Sequence, residues 1–127
     1  MYNLNRTYVY KFLKTKCFIA PKLDPIKDEF GNEIPQYGIA KKYMFNIQPV
    51  TTESEIREFG ELAPRLKVAT ITERIKYENK FNEFDLAYLD GATPEGETFN
   101  GENANYRIYA VQKQNMIIKL YFLKEVK

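Results

Sequence analysis

The chain contains no histidine and no tryptophan, and Cys17 is its only cysteine. The lack of histidine removes the commonest general base and the commonest protein metal ligand. Ser-His-Asp and Cys-His catalysis are thereby excluded, whereas carboxylate-only and lysine-based chemistry are not. A lone cysteine excludes an internal disulfide. With no catalytic partner near it in sequence, Cys17 reads as a small buried apolar side chain. No apolar run is long enough to span a bilayer, and the first residues do not read as a signal peptide. The default expectation is a soluble protein in a reducing cytoplasm, with no membrane partner. Gly91, Gly96 and Gly101 are not followed by Gly-Lys-Ser/Thr, and no basic residue occurs from Asp90 to Glu102. That acidic segment repels phosphate, so it is not a nucleotide cradle. No cofactor, metal or catalytic constellation is expected.

The 127 residues suit a single domain over 1–127, large enough to hold a core without metal or disulfide. Hydrophobic residues make up 44% and charged residues 28%, a globular balance. Ten tyrosines and nine phenylalanines favour sheet. The net charge of +2 is too small to argue for nucleic acid by itself.

Period-2 alternation predicts strands over about Thr7–Ala20, Tyr43–Pro49, Arg65–Lys76, Phe84–Leu89, 106–113 and 115–124. Residues 21–40 carry Pro21, Pro25, Gly31, Pro35 and Gly38 and read as broken backbone. Within them Asp28, Glu29, Phe30, Gly31, Asn32 and Glu33 read as the tip of a hairpin or long excursion, without the spacing of a calcium loop. In the last strand Met116, Ile118, Leu120 and Phe122 form one apolar face, and Ile117, Tyr121 and Leu123 the other. A strand apolar on both faces is buried on both. Because the only helix in prospect is short, the expected cover for the outer face is a neighbouring subunit. The fold class that follows is mainly β: a small antiparallel barrel or sandwich with long loops and one short helix.

The most informative stretch is Tyr43 to Gly60. A strand ends at Pro49, which cannot donate to a ladder. Thr52 and Glu55 have capping-box spacing ahead of Ile56 and Phe59, and Gly60 stands where a two-turn helix needs a left-handed terminator. The run NIQPVTTESEIREFG (Asn46 to Gly60) resembles a segment of head–tail connector proteins of long-tailed bacteriophages, in the head-closure or stopper group. There, a strand ending in a pattern like N-V-x-P leads into a Glu-Ser-Glu-rich turn and then Phe-Gly. The likeness extends loosely over most of the chain. It takes in the opening MYNLNR, the DEFGNE turn, the acidic Gly-rich segment and the final strand pair. The chain departs from the pattern after Gly60. Family members often carry a Tyr/Asp-rich stretch there, and this sequence has Glu61-Leu62-Ala63-Pro64-Arg65.

The resemblance implies a structural, non-enzymatic protein of a phage or prophage neck. It implies a homo-oligomeric ring that closes the filled head and offers a docking surface for the tail. Its partners would be a portal or adaptor protein, a tail-completion or tail-tube protein, and DNA passing through the channel without sequence recognition. The chain would reside in the host cytoplasm before assembly and at the virion neck afterwards. On this reading Glu53, Glu55, Ile56, Glu58, Phe59 and Gly60 form an assembly interface, and Asp28–Glu33 a channel or partner loop. Two rivals are a tail terminator and an OB-like single-strand nucleic-acid binder using Tyr8, Tyr10, Tyr43, Arg107 and Tyr109.

Overall fold

A computed structural model describes residues 14–94 and 103–125. Six strands close into an antiparallel barrel, in the order β1 (Thr15–Ala20), β4 (Lys41–Pro49), β5 (Leu66–Ile71), β8 (Ile117–Lys124), β7 (Tyr106–Gln114), β6 (Leu86–Tyr88) and back to β1. Closure pairs Phe18 of β1 with Tyr88 of β6, which leaves the barrel without a free edge. The mainly β fold read from the sequence is therefore present, as a barrel rather than a sandwich.

The interior follows from the alternation. Cys17, Ile19, Phe45, Ala69, Ile71, Ile108, Ile118, Leu120 and Phe122 point inward and pack together. Cys17 is fully buried, as expected of it, and burial pushes its thiol up to about 12, so it stays protonated and unreactive. β7 departs from simple alternation. Ile108 faces Phe122 and Ala110 faces Tyr121, so Tyr109 is the extra residue of a bulge. The bulge turns both Tyr109 and Ala110 outward, and Val111 inward.

Two strand boundaries differ from the sequence reading. The strand expected over Arg65–Lys76 ends at Ile71, and Arg74–Tyr77 forms one helical turn instead. β5 and β6 lie on opposite sides of the barrel, so the chain between them must cross one end of it. That crossing carries Tyr77 and Phe81 onto Tyr43 and Phe45, with ring centroids 5.2–6.2 Å apart. Phe84, expected in the next strand, precedes it with φ 75. The expected strand start at Thr7 lies outside the described residues. The β7–β8 turn is Asn115-Met116, closed by the Gln114–Ile117 pair, so the last strand starts at Ile117 rather than at 115.

The excursion after β1 is a second, two-stranded sheet, β2 (Lys22–Lys27) and β3 (Glu33–Tyr37). Pro25 and Pro35 do not break it as expected. Each sits in a strand that has a neighbour on one side only, where a missing N–H costs no ladder bond.

Candidate assembly surfaces

The helix α1 (Glu53–Phe59) has the boundaries the sequence predicts. Thr52 has extended backbone angles, and its hydroxyl accepts from the Glu55 N–H. Gly60 ends the helix at φ 58, and its N–H bonds the Ile56 carbonyl. The carboxylate of Glu55 links the cap to the barrel. It accepts from the Thr52 hydroxyl at 2.6 Å and from the buried Tyr121 hydroxyl on β8, with Lys119 Nζ at 3.9 Å. Burial pushes the Glu55 carboxyl up, but the two hydroxyls and Lys119 outweigh it and hold the group below its ordinary 4.5.

A group held low in the folded state stabilises above its unfolded value. Its contribution is then lost as the pH falls through the lower, folded value. Glu55→Gln is therefore expected to lose stability at neutral pH and to show a shallower acid limb in urea unfolding. An acid limb as steep as the parent's would show that Glu55 carries none of that dependence.

This arrangement corrects the expectation that a neighbouring subunit covers the outer face of the last strand. α1 and the 3₁₀ turn Gly60–Arg65 lie across it. Tyr121 and Leu123 are buried there with Val50, Ala63, Leu66 and Val68, and Phe59, Leu62, Tyr109 and Ala110 pack around them. The Phe59 ring stands 4.6 Å from that of Tyr121 and 6.1 Å from that of Tyr109. The short helix suffices because the turn that follows extends it.

The six predicted interface residues therefore divide. Glu55 and Phe59 are committed within the chain, and Gly60 shapes the backbone. Glu58 accepts from Gln112 on β7 at 2.7 Å, and Glu53 pairs with Arg57 at 2.9 Å on the solvent side. Ile56 remains 47% exposed and is the large apolar side chain this helix leaves open to solvent. Ile56→Ala is expected to move the urea midpoint little, because the side chain is half exposed and outside both buried clusters. A large loss of stability would instead show that Ile56 supports the core.

Of the six residues predicted as a channel or partner loop, 28–32 form a hairpin tip and Glu33 opens β3, paired with Lys27. The Asp28 carboxylate accepts from the N–H groups of Phe30 and Asn32 at 2.9 and 2.8 Å, and Gly31 has φ +83. The Asn32 N–H bond leads those that hold Asp28 below its ordinary 3.8, so the tip is charged as well as ordered. Phe30 is 81% exposed.

The arm is tied to the barrel at its root. Gly38 N–H bonds the Pro21 carbonyl at 2.8 Å, and Lys22 N–H bonds the Asp85 carboxylate at 2.8 Å. Asp85 is 1% exposed and also accepts from Asn82 N–H at 3.0 Å. It lines a hollow of about 170 Å³ with Lys41, Tyr43, Lys80 and Phe81. Sequence inspection did not single out Asp85; an acid between Phe84 and Leu86 carries no local sign that it will be buried.

Of the described residues of the nucleic-acid alternative, Arg107 and Tyr109 meet on the outer face of β7, with the guanidinium carbon 5.9 Å from the ring centroid, whereas Tyr43 lies on the inward side. Tyr43 stacks on Phe45 at 5.5 Å inside the barrel, and Tyr109 packs under α1. Arg107 pairs with Glu125 at 3.3 Å, while Tyr8 and Tyr10 lie outside the described residues. Of the acidic segment, Asp90 meets Lys67 and the Tyr106 hydroxyl, and residues 95–102 lie outside the described residues. Among the described residues, no group of three or more His, Cys, Asp or Glu is placed to hold a metal ion, and no helix is long and apolar enough to cross a membrane.

The architecture is that of a closed small barrel with an external helical cover and a projecting β-arm. No family model, no curated protein and no solved structure matches the chain.

Proposed function

We propose that the protein is a structural component of a tailed-phage neck. It forms a ring between the portal or adaptor and the tail, closes the DNA-filled head and provides the surface on which the tail docks. The observation that carries this reading is the arm, an ordered ribbon with an exposed apolar face and an acidic tip bearing Phe30, in a sheet separate from the barrel. Exposed apolar side chains grouped on one face mark a surface that meets another molecule, as an assembly subunit requires. The resemblance over Asn46–Gly60 supports the same reading, since that run folds as one unit of strand, stop, capped helix and glycine.

Ring closure and docking need unlike surfaces rather than chemistry. A heterologous contact between two different patches of one chain closes a circle when repeated. The test is negative-stain imaging of particles made by a phage or prophage that carries a deletion of this gene. Separate heads and tails, with heads that have leaked DNA, are expected. Intact infectious particles would overturn the proposal.

A further inference from the structure

The arm has two chemically different faces, and a bulge makes them so. Leu23 pairs with Gln36 and Ile26 with Ile34, so three steps along β2 match two along β3. The extra residue brings Leu23 and Ile26 onto one face together with Ile34. All three are exposed. Lys22, Lys27, Glu33 and Tyr37 take the other face. Beyond the apolar face lies the tip, with exposed Phe30 flanked by Asp28, Glu29 and Glu33.

The barrel carries a surface of the opposite charge. On β1 and β4 the residues Cys17, Ile19 and Phe45 point inward, so the pairs Lys16–Met44 and Phe18–Lys42 point outward. Met44 is 45% exposed, and Lys16 and Lys42 are exposed beside it. Neither strand contains an acid. This wall is basic with an apolar centre, and the arm is apolar with an acidic tip.

We infer that the arm of one copy docks, through Ile26, Ile34 and Phe30, on the Lys16–Met44–Lys42 wall of a second copy. The occupant is a second copy because the two surfaces complement each other in charge and hydrophobic character, and both belong to this chain. The arm does not satisfy the wall of its own chain. It continues from the ends of β1 and β4, and its ties to the barrel lie at Pro21, Lys22 and Gly38.

The contact is made by side-chain faces rather than by added strands. The barrel is closed, and Pro25 and Pro35 each remove a donor from the arm. The two surfaces differ, so the contact is heterologous. The inference rests on the ring reading above in taking such contacts to repeat around a circle.

The test uses the full chain. An Asn32→Cys variant is mixed with a Lys14→Cys variant at high protein concentration and treated with a short bis-maleimide, so that Phe30 and Met44 stay in place; the native Cys17 is buried and does not compete. The expected product is a mixed cross-linked dimer, well above the yield from an Ile75→Cys and Lys14→Cys control pair. Glu29→Lys with Glu33→Lys on the arm copy is expected to abolish it. Lys16→Glu with Lys42→Glu on the wall copy is expected to restore it.

Self-association with cross-links through Ile56→Cys but none through the arm pair would overturn the arm contact and leave the ring reading standing. Absence of any cross-link at any concentration would also overturn the contact, and the ring reading would still be decided by the deletion phenotype.

Discussion

Tyr121→Ala is expected to destabilise the protein by about 3–5 kcal/mol, the usual cost of removing a buried aromatic ring. Tyr121 is 1% exposed and lies at the centre of the outer cluster, against Phe59. Its loss opens a cavity between β8 and α1 and takes from the Glu55 carboxylate one of its two hydroxyl donors. Tyr121→Phe separates these effects. It keeps the ring and removes only the hydroxyl, and is expected to cost about 1–3 kcal/mol because a buried carboxylate loses a donor. Burial, aided by Glu55, pushes the Tyr121 phenol well above its ordinary value, so it keeps its proton and donates at neutral pH. Urea unfolding of both variants, at an unchanged slope, measures the two terms. Since a domain of this size has about 5–15 kcal/mol in total, the alanine variant approaches the limit of folding. An alanine variant within about 1 kcal/mol of the parent would mean that α1 does not cover β8.

Asp85→Ala is expected to lower stability by about 1–3 kcal/mol and to loosen the root of the arm, because two backbone N–H groups lose their acceptor. Asp85→Asn retains an acceptor oxygen and is expected to cost less. Hydrogen exchange at the Lys22 amide reads the loosening directly. It should accelerate in Asp85→Ala while amides of β8 change only with global stability. Protection of Lys22 equal to the parent's would show that the carboxylate does not hold the arm.

The pH dependence of Asp85 has the opposite sign to that of Glu55. Burial raises the Asp85 carboxyl above its ordinary 3.8, against the pull of the Lys22 and Asn82 N–H groups. The folded state therefore takes up this proton before the unfolded state does. Stability from this group rises as the pH falls through the folded value, and the gain is complete below 3.8. Asp85→Asn removes that gain and should leave the acid limb steeper, whereas Glu55→Gln leaves it shallower.

The elements that could be read in the sequence are those fixed by local chemistry. Thr52, Glu55 and Gly60 set both ends of α1 through hydrogen bonds and a positive φ within a few residues, and the observed helix has those bounds. The DEFGNE turn was legible for the same reason. Elements set by tertiary contact were not. A bulge at Tyr109 leaves no mark on a run of Tyr, Arg and Ile, yet it decides which side chains reach Tyr121. The two apolar faces of β8 correctly implied cover on both sides. The strand pattern alone could not say that the cover came from the same chain, because Leu62 and Ala63 reach that face only by way of the turn after Gly60. Pro25 and Pro35 likewise read as breaks, because a sequence does not reveal that a strand has only one neighbour.

The attachment of the arm has a consequence for divergence. β2 and β3 prolong the β1–β4 ribbon beyond Pro21 and Gly38 and share no core with the barrel. Inserting two residues in each strand would lengthen the reach by about 7 Å and preserve which face each side chain takes, while the barrel would be untouched. Span is thus a parameter that selection can change independently of folding, with the body of the protein left unaltered.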